Sequence, residues 1–393
     1  MTGYEGAFNA CEIDLGALAR NYKKIAEFSK APVMGVVKGD AYGHGLVPSA
    51  LALVEAGCRE LGVLDVWEAM ELKKHPIEAE ITILAGLLGP EQSYRAVSEG
   101  LVVFAYDLAQ IKTLAKAAEN LDTRARIIFK IDTGMGRLGF GWEKASYIVS
   151  SLAGLKNLSI EGLSTHLATN GDEGAKTQLE RFYDLGDKIR KRTKTEIKFS
   201  VLASGGILAH QDFPDNLSRA GLLLYGYSPL ELTDPALTGM KKAKNLINSL
   251  EKPMTIKSKL IQVREAKAGE TISYDRTFVV PKTMKIGTAP IGYVHGIGRS
   301  RSALGHALIG GQKAGLLGRV CMNLCLFDLG NNGQAKVGDE VVILGDQGHQ
   351  SIGANLIGTW EKTSAYEILC HLGRLNPRFY KKSLQVKGPK KRA

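Results

Sequence analysis

Residues 33–64 read VMGVVKGDAYGHGLVPSALALVEAGCRELGVL, and they contain the unit that repeats through the first half of the chain. Val33–Lys38 is a short, nearly all-apolar run of strand length, and Leu46–Ala56 has helical spacing. Gly57 stands where a helix ends, and Glu60–Leu64 turns apolar again. A strand apolar at successive positions must be buried on both faces, as a parallel strand covered by helices is. Working outward, similar runs recur at Ile81–Ala85, Leu101–Tyr106, Arg126–Ile131, Ser159–His166 and Ile197–Ala203. Helix-like stretches such as Val66–Lys74, Glu91–Ser98 and Leu108–Asn120 separate them, with Gly100 and Asn120 at or just past helix ends. A weaker run near Leu217–Arg219 makes an eighth unit. Eight units in roughly 200 residues fit a (β/α)8 barrel better than an open, doubly wound sheet.

After Lys252 the texture changes. MTIKSKLIQVREAKAGETISY, MKIGTAPIGY, KAGLLGRVCMNLCLFDL and GDEVVILG are strand-like runs divided by Gly, Asp and Asn, and helical spacing returns only at Gly353–Leu372. The sequence therefore predicts a barrel over residues 1–240 and a mostly-β domain over residues 241–393. The transition falls in Leu230–Lys252, residues 1–12 are expected to pack with the β domain, and a basic tail starts at about residue 381.

The length of 393 residues suits two domains, and 44% hydrophobic with 23% charged residues is a globular composition. No apolar run reaches the roughly 20 residues of a membrane helix, and MTGYEGAFNACEIDL has no export pattern, so a cytoplasmic location is expected. Cys11, Cys58, Cys321, Cys325 and Cys370 form no CxxC pair and no zinc spacing, which predicts reduced thiols and no metal. The net charge of +11 is concentrated partly in Lys381, Lys382, Lys387, Lys390, Lys391 and Arg392, and another basic run spans Lys188–Lys194. Neither is interleaved with aromatics, so both read as solvated faces and no nucleic-acid partner is expected.

In a barrel, chemistry gathers where strands end. Lys38 closes the first apolar strand and is followed by Gly39, Gly43 and Gly45. By itself it reads more readily as a snorkelling cation, because an ammonium must leave an apolar core or lose its charge. The other strand ends shift the balance: Asp132, three glycines and Arg137 in KIDTGMGRLGF, then His166, then Ser204 with Gly205 and Gly206, then Arg219 with Gly221. Ser204 and the backbone at Gly221–Leu222 fall after strands seven and eight, where barrels commonly bind phosphate. A lysine able to trap an aldehyde, a phosphate cradle and an arginine on one rim describe a pyridoxal-phosphate (PLP) site.

VVKGDAYGHG around Lys38 resembles the PLP-lysine signature of alanine racemases. KIDTGMGRLGF, STHLATN, RAGLLLYGYSP, ISYDRTF, IGYVHG, GRVCMNLCLFDL and SAYEILCHLGRLNPRFY are similar to that family's later motifs, in the same order, from Cys11 to about Tyr380. The resemblance implies a PLP enzyme that interconverts L- and D-alanine and supplies D-alanine for peptidoglycan. It implies a homodimer of barrel-plus-β subunits with shared active sites. Lys38 would carry the cofactor as a Schiff base and act as one base, with Tyr274 the opposing base, contributed by the partner subunit. Tyr42, Ser204, Gly221, Leu222 and Tyr366 would hold the phosphate, and Arg219 would face the pyridine nitrogen with His166 linking it to Tyr274. Arg137, Met322 and Tyr293 would meet the substrate, and Lys130 is a candidate for carbamylation.

Two positions depart from the family's pattern. Met322 is followed by Asn323 where Met-Asp is common, and Val294-His295 replaces a small residue and Asp. A racemase of broader range, acting also on serine and lysine, is the alternative on this scaffold. A decarboxylase of basic amino acids would lack the ISY motif, and a PLP carrier would lack the β domain.

Overall fold

The computed structural model describes residues 6–152, 156–193, 197–330 and 334–381; the basic tail beyond Lys381, and Lys194 of the internal run, lie outside them. The chain divides into two compact units. One comprises Ala19–Ala41 and Ser49–Glu251, the other Met1–Leu18, Tyr42–Pro48 and Lys252–Ala393.

The first unit carries β1 (Val33–Val36), β2 (Glu60–Val63), β3 (Glu80–Ile83), β4 (Val102–Ala105), β5 (Ala125–Asp132), β6 (Leu158–Ser164), β7 (Lys198–Ser200) and β8 (Ser218–Ala220). Every neighbouring pair in the order β8-β1-β2-β3-β4-β5-β6-β7 is parallel. A parallel bridge between Ala203 and Arg219, with the Arg219 N–H on the Leu202 carbonyl at 2.8 Å, joins the two ends. The result is a nearly closed (β/α)8 barrel; an open sheet would leave β7 and β8 at opposite edges.

Side-chain size sets how closely the layers approach. β1 and β4 are buried along their whole length, as strands covered on both faces must be. A Cβ on Gly35 would stand 3.0 Å from Leu53 Cδ1 and 3.2 Å from Cys58 Sγ, so the glycine lets helix Leu46–Glu55 lie close to β1. Asp65 accepts the Glu68 N–H at 3.0 Å and Asp107 those of Ala109 and Gln110, starting two of the outer helices. Each such cap contributes about 1 kcal/mol.

The observed strands are shorter than the apolar runs that announce them. β1 stops at Val36 and β6 at Ser164, so Lys38 opens the helical turn Lys38–Tyr42 and His166 stands on a loop, both beyond the strand ends. The stretch expected to have little periodicity contains a helix, Lys241–Ser249, which buries only Ala243 and Leu246. Two anchors are too few to reveal a period.

The second unit is built on one large sheet. Its strands run in the order Gln262–Ala266, Met284–Ala289, Cys325–Asp328, Gln312–Leu317, His306–Ile309, Glu340–Gln347, Met254–Lys259, Ala10–Asp14 and Arg378–Lys381. Ala10–Asp14 pairs antiparallel with Met254–Lys259 and parallel with Arg378–Lys381. A core of Ala266, Ile272, Val280, Ile286 and Leu317 supports the segment that continues into Tyr274. The Tyr42–Pro48 loop belongs here because two glycines permit close approach: a Cβ on Gly43 would meet the Leu369 carbonyl at 2.4 Å, and one on Gly45 the Tyr380 ring.

Candidate active site

The turn after β1 is left-handed. Gly39, Asp40, Ala41 and Tyr42 have φ of 65°, 58°, 54° and 54°, and the Ala41 N–H reaches the Val37 carbonyl at 2.7 Å. Left-handed backbone costs roughly 1–2 kcal/mol per residue bearing a Cβ, or about 3–6 kcal/mol for Asp40, Ala41 and Tyr42 together. Such a run persists only where its surroundings over-determine it. One determinant is the buried carboxylate of Glu68. Oε1 accepts the N–H groups of Gly39 at 2.7 Å and Asp40 at 3.2 Å, while Oε2 accepts that of Leu64 at 2.7 Å.

Around the barrel mouth the structure gathers Lys38, Lys130, Arg137, His166 and Arg219 into one electrostatic neighbourhood. Arg219 is 5% exposed. Its Nη1 donates to Ser164 Oγ at 3.2 Å and Ser200 Oγ at 2.6 Å, and its Nη2 to the carbonyls of Thr165 at 2.9 Å and Val201 at 3.1 Å. These bonds occupy the terminal donors and leave Nε–H without a protein acceptor among the described residues. Burial lowers its pKa to about 10, still protonated at neutral pH.

His166 is held neutral. Burial, and then the charges of Arg219, Lys130, Arg137 and Lys38, push its pKa down to about 2. Among the described residues no hydrogen bond joins His166 to Arg219, and the interaction between them is a through-space repulsion. The His166 loop is fixed by buried Gln178, which donates to the His166 carbonyl at 3.1 Å and to Thr133 Oγ1 at 3.3 Å and accepts the Ala168 N–H at 2.9 Å.

Lys130, on β5, is 7% exposed. Burial lowers its pKa well below the usual lysine range, and Arg219, Arg137 and Lys38 lower it further against the opposing pull of Asp132. The Asp132 carboxylate is itself taken up by the N–H groups of Gly134 at 2.9 Å and Gly136 at 3.1 Å. No ion pair to Lys130 occurs among the described residues; its Nζ lies 5.7 Å from the centre of the Phe104 ring.

Ser204 and Gly221 converge. Ser204 Oγ accepts the Gly221 N–H at 3.0 Å and the Leu223 N–H at 3.4 Å, so the start of helix Ser204–Ala209 meets the turn Leu222–Tyr225. Backbone amides at two element starts, a mostly cationic rim and a spare Arg219 donor suit an anionic cofactor whose ring nitrogen accepts a hydrogen bond. The residues present fit PLP.

The second unit holds the remaining candidates. Tyr42 and Tyr366 form a tilted ring pair with centres 5.9 Å apart. Tyr274, Tyr293 and Met322 sit on three loops tied together by hydrogen bonds. Ser273 Oγ donates to the Arg319 carbonyl at 2.7 Å, the Tyr293 N–H to the Cys321 carbonyl at 3.0 Å, and the Val294 N–H to the Met322 carbonyl at 3.1 Å. Gly292 is required there, since a Cβ would stand 2.2 Å from the Cys321 carbonyl. All three side chains are open to solvent on this chain, Tyr274 at 64%, Met322 at 52% and Tyr293 at 46%. His295, one of the departures from the family pattern, has its Nδ1 3.1 Å from the Gly292 N–H and so closes the Tyr293 turn.

Glu68 and Gln178 were missed by sequence reasoning. A signal existed for Glu68, because Asp65-Val66-Trp67-Glu68 is a capping-box spacing at a strand end. Gln178 lies in a long polar helix, Glu173–Thr193, and nothing in its neighbourhood distinguishes it.

A parallel barrel with this rim, in one chain with a β-rich unit, defines a barrel-type PLP enzyme. The chain matches the family described as alanine racemase, N-terminal domain, over residues 13–229, and alanine racemase, C-terminal domain, over residues 253–380. It belongs to the alanine racemase family, whose members are PLP-dependent racemases. An alanine racemase of Desulforamulus reducens is 35% identical over 385 residues, covering 94% of this chain and 98% of the relative. The crystal structure of alanine racemase from D-cycloserine-producing Streptomyces lavendulae superposes with a TM-score of 0.88 at 29% identity, over 96% of this chain and 97% of that one. Alanine racemase from Bartonella henselae, solved with covalently bound pyridoxal phosphate, is 25% identical with a TM-score of 0.83, over 95% of this chain and 100% of that one.

Proposed function

We propose that this protein interconverts L- and D-alanine by a two-base mechanism with PLP carried on Lys38. The observation that carries the reading is the strand-end Lys38 on the same rim as Arg219 and the Ser204–Gly221 cradle, in a chain of this family. PLP, when bound, withdraws electrons from the substrate α-carbon and makes its proton removable. The protein must then deliver a proton to either face, because a single fixed base returns it to the face it came from. Lys38 Nζ serves one face and Tyr274 Oη the other. Both are weak acids with ordinary pKa values of about 10, so each needs surroundings that favour its deprotonated form. Arg219 keeps its proton near neutrality and so offers a ring nitrogen a donor without protonating it, which limits electron withdrawal and disfavours side reactions.

Tyr42, Ser204, Gly221, Leu222 and Tyr366 are assigned to the phosphate, and Arg137, Met322 and Tyr293 to substrate. Tyr274, Tyr293 and Met322 are exposed on the single chain, which supports a homodimer in which each subunit completes its partner's site. Among the described residues no helix is long and apolar enough to cross a membrane. A cytoplasmic role in supplying D-alanine for peptidoglycan is the physiological part of the proposal and rests on the family.

Chiral analysis of L-alanine incubated with protein and PLP in deuterated water tests the activity. D-alanine deuterated at the α-carbon is expected, and recovery of only undeuterated L-alanine overturns it. Turnover of serine and lysine, measured in parallel, sets the breadth.

A further inference from the structure

Glu68 occupies the third position of helix Val66–Lys73, whose cap is Asp65. A carboxylate there ordinarily folds back onto the N–H of the cap residue. Here Oε2 takes the N–H of Leu64, the residue before the cap, and Oε1 leaves its own helix to bind Gly39 and Asp40. The group is 6% exposed, and no lysine or arginine pairs with it among the described residues. A buried carboxylate whose partners are all backbone N–H groups is an unusual expense for a helix start, since an exposed cap would serve the helix as well. What it gains is reach: it ties the end of β2 to the left-handed turn that begins immediately after Lys38.

We infer that Glu68 is a positioning residue for Lys38, holding the Gly39–Tyr42 turn in its left-handed form and so fixing where the lysine amine stands. The inference rests on the reading of Lys38 as the cofactor-bearing base. A shift of the turn toward relaxed backbone would move the Lys38 main chain, and displacements of about 1 Å at a reacting group cost up to about 100-fold in rate. Glu68→Gln is the informative change. The amide keeps the shape but has only one acceptor oxygen, so its NH2 must confront either the Leu64 N–H or those of Gly39 and Asp40.

The test uses the full-length holoenzyme. In Glu68→Gln, backbone hydrogen exchange in the peptide covering residues 38–42 is expected to accelerate by about tenfold or more, with the rest of the barrel unchanged. The kcat should fall about 10- to 100-fold in both directions, with KM moving less than about threefold. Glu68→Asp should recover part of the loss. Asp65→Ala removes the cap of the same helix without touching the turn, and should leave kcat and the 38–42 exchange near wild type. Unchanged exchange in Glu68→Gln, or a kcat loss no greater than that of Asp65→Ala, overturns the inference. If Glu68→Gln does not fold, the wild type still decides: Gly39 and Asp40 amides that exchange as fast as open loop refute the clamp. Borohydride labelling of the wild type separately locates the cofactor. A label on another lysine shows that the Lys38 reading has failed, and the inference falls with it.

Discussion

Ser204 Oγ accepts the Gly221 N–H at 3.0 Å, with the serine side chain buried, so two elements that follow successive barrel strands are held by one hydroxyl. Ser204→Ala leaves that amide without its acceptor, at a cost of about 1–3 kcal/mol. PLP binding, followed by equilibrium dialysis, is expected to weaken by about tenfold or more. Free pyridoxal, which has no phosphate, should be bound equally by mutant and wild type. An equal loss for both ligands would show that Ser204 does not serve the phosphate.

Tyr274→Phe is expected to affect the two directions unequally. With Lys38 working toward the D-isomer and Tyr274 toward the L-isomer, the variant should still exchange the α-proton of D-alanine without inverting it. Racemisation should fall at least about 100-fold. Wild-type rates from both isomers would remove Tyr274 from the mechanism.

The exposure of Tyr274, Tyr293 and Met322 on one chain leads to a complementation experiment. Lys38→Ala and Tyr274→Phe are each expected to be inactive. If sites are shared, a heterodimer of the two contains one site with both defects and one with neither. Mixing them after subunit exchange should restore up to about a quarter of wild-type activity, since half of the dimers are mixed and half of their sites intact. No recovery after exchange shown by mass spectrometry would mean that each chain builds its own site.

His166 carries a pH prediction. Its pKa is pushed down to about 2 by burial and by neighbouring cations, while the unfolded chain protonates near 6.5. Below about 6.5 the unfolded state therefore binds the extra proton, so the contribution is whole above that pH and is lost as pH falls toward 2. Replacing His166 with Gln should flatten the stability decline between pH 6.5 and 5 by about 1–2 kcal/mol in urea unfolding. Parallel curves for mutant and wild type would show that the folded imidazole takes up its proton over the same pH range as the unfolded chain.

What could be read in advance followed from local rules. Near-continuous apolar runs such as Val102–Ala105 separated by amphipathic helices leave few topologies, and Lys38 at a strand end is anomalous enough to be noticed. The left-handed turn could not be read, because Asp40, Ala41 and Tyr42 carry no signature of positive φ and only Gly39 invites it. Nor could the helix Lys241–Ser249, with its two buried anchors. The residues holding Arg219 in place, Ser164 and Ser200, lie 55 and 19 positions away and become its partners only once β6 and β7 stand beside each other in the barrel.

Lys130 is proposed to carry a carbamate, and its surroundings give the chemistry a reason. The side chain is buried, and Arg219, Arg137 and Lys38 add to the burial that lowers its pKa. An ammonium there would be a like-charge neighbour of Arg137, and Asp132, whose carboxylate is bound to the Gly134 and Gly136 N–H groups, relieves it only in part. A neutral amine is the form that reacts with CO2: the nitrogen lone pair forms the N–C bond and a proton is released to solvent. The product is an anion that can accept charge-assisted hydrogen bonds from a guanidinium and so hold Arg137 toward substrate. Lys130→Ala should then raise KM for alanine about tenfold, with acetate or a similar small carboxylate restoring part of the loss. Crystals of the wild type grown with bicarbonate should show density for the added carboxylate on Nζ. Density ending at an ordinary amine, together with a Lys130→Ala variant indifferent to acetate, would leave the residue as an unmodified lysine.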